Sequence, residues 1–95
     1  MTVAELLDSP EKWTQGAWAR DKTGMALKVS HSGKAVCWCL LGAFLKVYIA
    51  AGRKDAGVAR ERLNALVPGG CLVAWNDEKK RTFSQVRALV LKAGV

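Results

Sequence analysis

Lys34-Ala35-Val36-Cys37-Trp38-Cys39-Leu40-Leu41-Gly42-Ala43-Phe44-Leu45-Lys46-Val47-Tyr48-Ile49-Ala50-Ala51 is the chain's longest apolar stretch, and its reading decides the fold. Ser32 ahead of it supplies a helix cap and Gly52 behind it a stop, so the pattern predicts one helix from about Lys34 to Ala51. A helix apolar on every face must be surrounded. Lipid is one way to do so, since a membrane span needs about 18 such residues. Lys46 near the middle costs roughly 3 kcal/mol on insertion scales, and Gly42 lowers the apolar density further. The stretch therefore reads as a central helix of a folded domain, covered by the rest of the chain or in part by a second subunit. Glycine costs about 1 kcal/mol against alanine in a helix interior, so Gly42 predicts the close approach of another backbone.

Upstream, Met25, Leu27 and Val29 alternate with Ala26, Lys28 and Ser30, which is strand spacing with one buried face. Asp21-Lys22-Thr23-Gly24 is turn chemistry, and Trp13 to Ala19 completes a β-hairpin as its first strand, weakened by Gly16. On that strand Trp18 and Arg20 share the face opposite Trp13, Gln15 and Ala17, which leaves one of the two tryptophans less buried. Thr2 caps a short first helix with Val3, Leu6 and Leu7 inward, and Ser9-Pro10 ends it or starts one further turn. Downstream, Asp55 caps a helix with Ala59, Leu63 and Leu66 on one stripe, ended by Pro68-Gly69-Gly70. Cys71 to Trp75 reads as a short extended run. Thr82 with Gln85 forms a capping box opening a last helix with Phe83, Val86, Val90 and Ala93 inward and Leu91 outward. The expected fold is α+β, mainly α: a central apolar helix packed by a β-hairpin and two or three amphipathic helices. With 95 residues, 51% of them apolar, the chain supports one core and one domain over residues 1–95.

Charge is distributed unevenly. Net charge is +7, yet from Lys12 onward 15 basic residues stand against five acidic ones, an excess of +10. Such a field favours anionic partners: nucleic acid, nucleotides, an acidic protein or a phospholipid surface. The three cysteines are an odd number and the N-terminus is acidic and amphipathic, which predicts a reducing, cytoplasmic setting and no membrane association. Cys37, Cys39, Cys71 and His31 have the composition of a zinc site. On a helix, however, Cys37 and Cys39 diverge by roughly 200°, and structural zinc uses wider knuckles in loops. No metal or other cofactor is expected, and the cysteines read as core thiols. Nothing in the spacing pairs His31 with a thiol and an orienting acid, so no catalytic residue is assigned and the chain reads as a non-enzymatic binder.

Three places are candidates for an anion. Ser30-His31-Ser32-Gly33-Lys34 opens the predicted central helix, where unpaired N–H groups and the positive dipole end suit a phosphate. It is not a P-loop, because Lys28 and Ala35 stand where that motif needs glycine and serine or threonine. Arg53 and Lys54 join the second and third helices, with Arg60 and Arg62 on the latter. Gly52 and Val58 fit a helix-turn-helix there, although Tyr48 is too large for it. Lys79-Lys80-Arg81 follows Trp75, and Trp18 with Arg20 sits on the hairpin, so Trp18 and Trp75 are the candidate stacking surfaces for nucleobases.

Trp38-Cys39-Leu40-Leu41-Gly42-Ala43, then Trp75-Asn76-Asp77, then Thr82 with Val86 and Ala93 resemble the pattern of small actinobacterial and phage proteins grouped as a domain of unknown function. Trp13-Thr14-Gln15-Gly16-Ala17 and Asp21 to Gly24 are similar too. The resemblance implies a phage or mobile-element accessory protein, of the kind that occupies a host component or sequesters a nucleotide signal. The expected function is thus binding of a phosphate-bearing ligand, nucleotide or nucleic acid, in a counter-defence role. Ser32, Gly33, Lys34, Arg53, Lys54 and Arg60 would hold phosphate, and Trp18 or Trp75 would stack on a base. The alternatives are a protein-interaction module that inhibits a host defence protein, with Leu91 and part of the central helix as the interface or as a homo-oligomer contact, and a helix-turn-helix-like DNA binder.

Overall fold

Thr2 caps α1 (Val3–Leu6) as the sequence predicts: its side chain accepts from the Glu5 N–H, and the Glu5 carboxylate accepts from the Thr2 N–H, both at 3.0 Å. The computed structural model describes residues 1–95. Pro10–Lys12 adds one tight turn. Three two-residue strands follow, β1 (Ala19–Arg20), β2 (Ala26–Leu27) and β3 (Cys37–Trp38). The central helix α2 (Leu40–Phe44) continues through a π-helical segment, Leu45–Ile49. After it come α3 (Ala56–Leu66), α4 (Leu72–Asn76) and α5 (Phe83–Ala93). The architecture is α+β and mainly helical.

The central helix is shorter than its apolar run. Val36 and Cys39 donate their N–H groups to Arg20 and Trp18 carbonyls at 2.9 and 3.2 Å, so Ala35 to Cys39 line the sheet and α2 begins only at Leu40. An unbroken apolar run serves a buried strand as well as a buried helix, so apolar character alone does not mark where the helix starts. Cys39 is the helix cap, its Sγ accepting from the Gly42 N–H at 3.2 Å. Ser32, Gly33 and Lys34 accordingly sit in a turn before β3, not at a helix N-terminus.

β1 is the middle strand, antiparallel to both neighbours: Ala19 pairs with Leu27 and with Trp38, Arg20 with Ala26 and with Cys37. The expected long first strand shrinks because Trp13 to Gly16 are held by α4 instead. The expected buried face of the second strand is also absent: Met25 and Val29 are exposed, and only Leu27 leans on the core. No helix covers so short an edge strand.

The predicted backbone approach at Gly42 is real. A Cβ there would lie 1.9 Å from the Trp18 carbonyl oxygen, so α2 and the segment entering β1 touch backbone to backbone. Leu40, Leu63, Leu72, Val86 and Val90 form the fully buried centre. The run Cys71 to Trp75 is helical rather than extended, since Leu72, Trp75 and Asn76 are buried at helical spacing and Trp75 N–H donates to Cys71 O at 3.1 Å. Five residues are too few to reveal that period in a sequence. Thr82 and Gln85 make the predicted capping box. Asp55 stands at the cap of α3 but makes no cap bond, because its carboxylate grips Arg53 at 2.7 and 3.0 Å. Arg87 of α5 donates to the Ala4 and Leu7 carbonyls and so closes α1 onto the core.

Candidate functional site

Asn76 organises the molecule's working face. Its side chain is fully buried and makes all four hydrogen bonds open to an amide. Oδ1 accepts from Trp13 Nε1 at 2.7 Å and from the Leu40 N–H at 3.0 Å, while Nδ2 donates to Thr14 O at 3.1 Å and Asp77 Oδ1 at 2.9 Å. Gln15 Nε2 donates to the Asn76 and Glu78 carbonyls at 2.8 and 2.9 Å, and Asp77 Oδ1 accepts from the Gly16 N–H at 3.1 Å. Arg20 braces the same loop through Thr14 Oγ1 and Gln15 O, both at 3.0 Å. The motifs Trp13-Thr14-Gln15-Gly16 and Trp75-Asn76-Asp77 are therefore two halves of one buckle, which fixes the strand entry where Trp18 stands.

Trp18 leaves this frame 45% exposed. It forms a common wall of two clefts. The first, of about 360 Å³, adds Gly16, Ala17, Leu27, Cys39 and Asp77, and the second, of about 220 Å³, adds Val29, His31, Leu45 and Ile49. Lys28 lines both. The π-helical segment, with Ala50 N–H donating five residues back to Leu45 O at 2.8 Å, widens the helix there and leaves Ile49 exposed at the rim. In the first cleft burial pushes the Cys39 thiol above its usual range, and the Asp77 charge adds to the effect, which makes it a poor nucleophile.

The predicted phosphate residues are scattered. None of the five principal clefts joins Ser32, Gly33 or Lys34 to Arg53, Lys54 or Arg60. The Ser32 hydroxyl accepts from the Lys34 N–H at 3.2 Å, a bond internal to its turn. Arg53 is bound to Asp55 and to the Met1 carbonyl and lies 4.1 Å from the Tyr48 ring centre. Arg60 donates to Asn64 at 3.2 Å and lies over Phe44, whose ring stacks on Tyr48 at 5.3 Å. Lys54 is exposed in the turn before α3. Trp75 is only 9% exposed, with the Arg81 guanidinium 3.8 Å above its ring, so the face it would offer a base is already covered.

Lys28 is the functional candidate that the sequence reading passed over. A countable signal existed: the turn closes with Asp21 N–H on Met25 O at 3.0 Å, and Trp18 directly precedes, as Lys28 directly follows, the pair Ala19 and Leu27. No group of three or more His, Cys, Asp or Glu residues is placed to hold a metal ion. No helix is long and apolar enough to cross a membrane. What the face offers chemically is an indole, an ammonium group and aliphatic walls, with a carboxylate held at one edge. No curated protein and no solved structure matches the chain. The model of one family matches residues 2–94, and the chain accordingly belongs to the Family of unknown function (DUF6197).

Proposed function

We propose that this chain is a non-enzymatic binding protein whose ligand combines a flat ring with a phosphate, a nucleotide or nucleic acid, held at the Trp18 face. The observation that carries this reading is Trp18 itself, left 45% exposed between two clefts that both reach Lys28. A base stacked on an aromatic side chain is worth about 1–3 kcal/mol, and one exposed ion contact adds about 1 kcal/mol or less. A single nucleotide should therefore bind in the millimolar range. The basic excess raises the local concentration of such anions. Sequestration of a signal, the counter-defence role implied by the resemblance, needs binding without turnover and fits a face whose one thiol is made a poor nucleophile by burial.

Calorimetry with adenosine monophosphate at low and at physiological salt tests the reading. Binding that weakens with salt, and is lost in both Trp18→Ala and Lys28→Gln, is the expected result. Heat that is absent at low salt, or unchanged in Trp18→Ala, refutes it. A protein partner is the second reading, favoured by the exposure of Met25, Val29 and Ile49 beside the same clefts. It predicts self-association or partner capture that survives high salt and is lost in Ile49→Asp.

A further inference from the structure

The two clefts differ in size and in lining, yet Trp18 and Lys28 belong to both. Ligand pockets begin at about 300 Å³. The larger cleft barely reaches that size and the smaller falls short of it, whereas the pair lies well within the range. Lys28 directly follows β2 and lines both clefts, so one ammonium group serves the two together rather than either alone. We infer that the clefts are the two halves of one site, which takes two bases joined by a single phosphodiester. One base lies in each cleft against the shared indole, and the bridging phosphate lies at Lys28. This rests on the reading of the Trp18 face as a nucleotide site and adds the number of rings it accepts.

The linkage chemistry makes the inference separable from charge. The dinucleotide ApA carries one negative charge, whereas adenosine monophosphate carries about −1.5 to −2 at pH 7. Electrostatic attraction alone would favour the monophosphate, so tighter binding of ApA reports the second base. Calorimetry of both probes on the whole chain is the test. ApA should bind about 5- to 150-fold more tightly, the worth of one further stacked base. Ile49→Ala and Val29→Ala take apolar wall from the smaller cleft alone without changing charge, and both residues are exposed, 53% and 46%. In either variant the advantage of ApA over the monophosphate should disappear.

Equal affinity for the two probes in the wild-type chain overturns the two-base site while leaving a one-base site standing. Equal weakening of both probes in the variants does the same. Failure of both probes to bind overturns the underlying reading as well. A longer oligoadenylate distinguishes the sources: affinity that rises with length and falls steeply with salt assigns a single strand, and affinity equal to that of ApA assigns a free dinucleotide. Either result upholds the two-base site.

Discussion

Replacing Gly42 by alanine sets a methyl carbon 1.9 Å from the Trp18 carbonyl oxygen and 2.8 Å from its carbonyl carbon. Both atoms are backbone, so no rotamer relieves the contact and α2 must move off the segment entering β1. Overpacking of a filled interior costs about 1–3 kcal/mol. The same oxygen accepts the Cys39 N–H at 3.2 Å, and losing that bond adds about 1 kcal/mol. Alanine's helix preference over glycine offsets about 1 kcal/mol. The expected net loss is about 2 kcal/mol, which lowers Tm by roughly 8–16 °C for a chain of this length. Gly57 supplies the control, because it lies in α3 with open space where a methyl group would go. Gly57→Ala should raise stability by about 0.5–1 kcal/mol. Urea unfolding followed by far-ultraviolet circular dichroism compares the two, with unchanged m confirming that the unfolding reaction is the same. A Gly42→Ala protein as stable as the wild type refutes the backbone contact. So does a pair of variants that both gain stability.

Asn76→Ala strands the Trp13 indole N–H and the Leu40 N–H in the interior, each at about 1–3 kcal/mol; thermal unfolding should show a total loss of about 3–5 kcal/mol, and a loss under 1 kcal/mol would contradict the buckle. The Asp21 carboxyl is held below its usual range by the Thr23 hydroxyl, so its contribution is complete above an unfolded value near about 3.9 and disappears as pH falls through the lower folded value. Asp8, beside Lys12, and Asp55, beside Arg53, shift the same way. Urea midpoints measured across that acid range should fall less steeply in Asp21→Asn than in the wild type, and parallel curves would count against the Thr23 contact. Iodoacetamide labelling read by mass spectrometry should modify the exposed Cys71 first and the buried Cys39 only on unfolding; equal rates in the folded protein would deny the burial of Cys39.

The features that were legible in the sequence are local ones. The Thr2 cap and the box of Thr82 with Gln85 each lie within one helical turn and form as expected, the first as a box with Glu5. Gly42 was legible because a glycine in a helix interior needs a reason, and alternation set Trp13 and Trp18 on opposite faces without telling which is exposed. The start of α2 was not, since Ala35 to Trp38 are as apolar as the helix and only their pairing with β1 tells them apart. The surroundings of the candidate cations were hidden for a different reason. A cation's freedom depends on what the fold brings to it: Asp55 and Tyr48 engage Arg53, Asn64 and Phe44 engage Arg60, and Arg81 closes over Trp75. Lys28 matters because both clefts beside Trp18 reach it, which follows from where the hairpin pairs.

The Asn76 buckle also sets an order of events in time. Trp13 and Asn76 are 63 positions apart, and synthesis at about 5–20 residues per second separates their appearance by roughly 3–12 s. Through that interval the loop before β1 lacks the amide that holds it, and α2 lacks an acceptor for its first N–H group. The Trp18 face is therefore completed only after Asn76 is made, although its own residues are synthesised first.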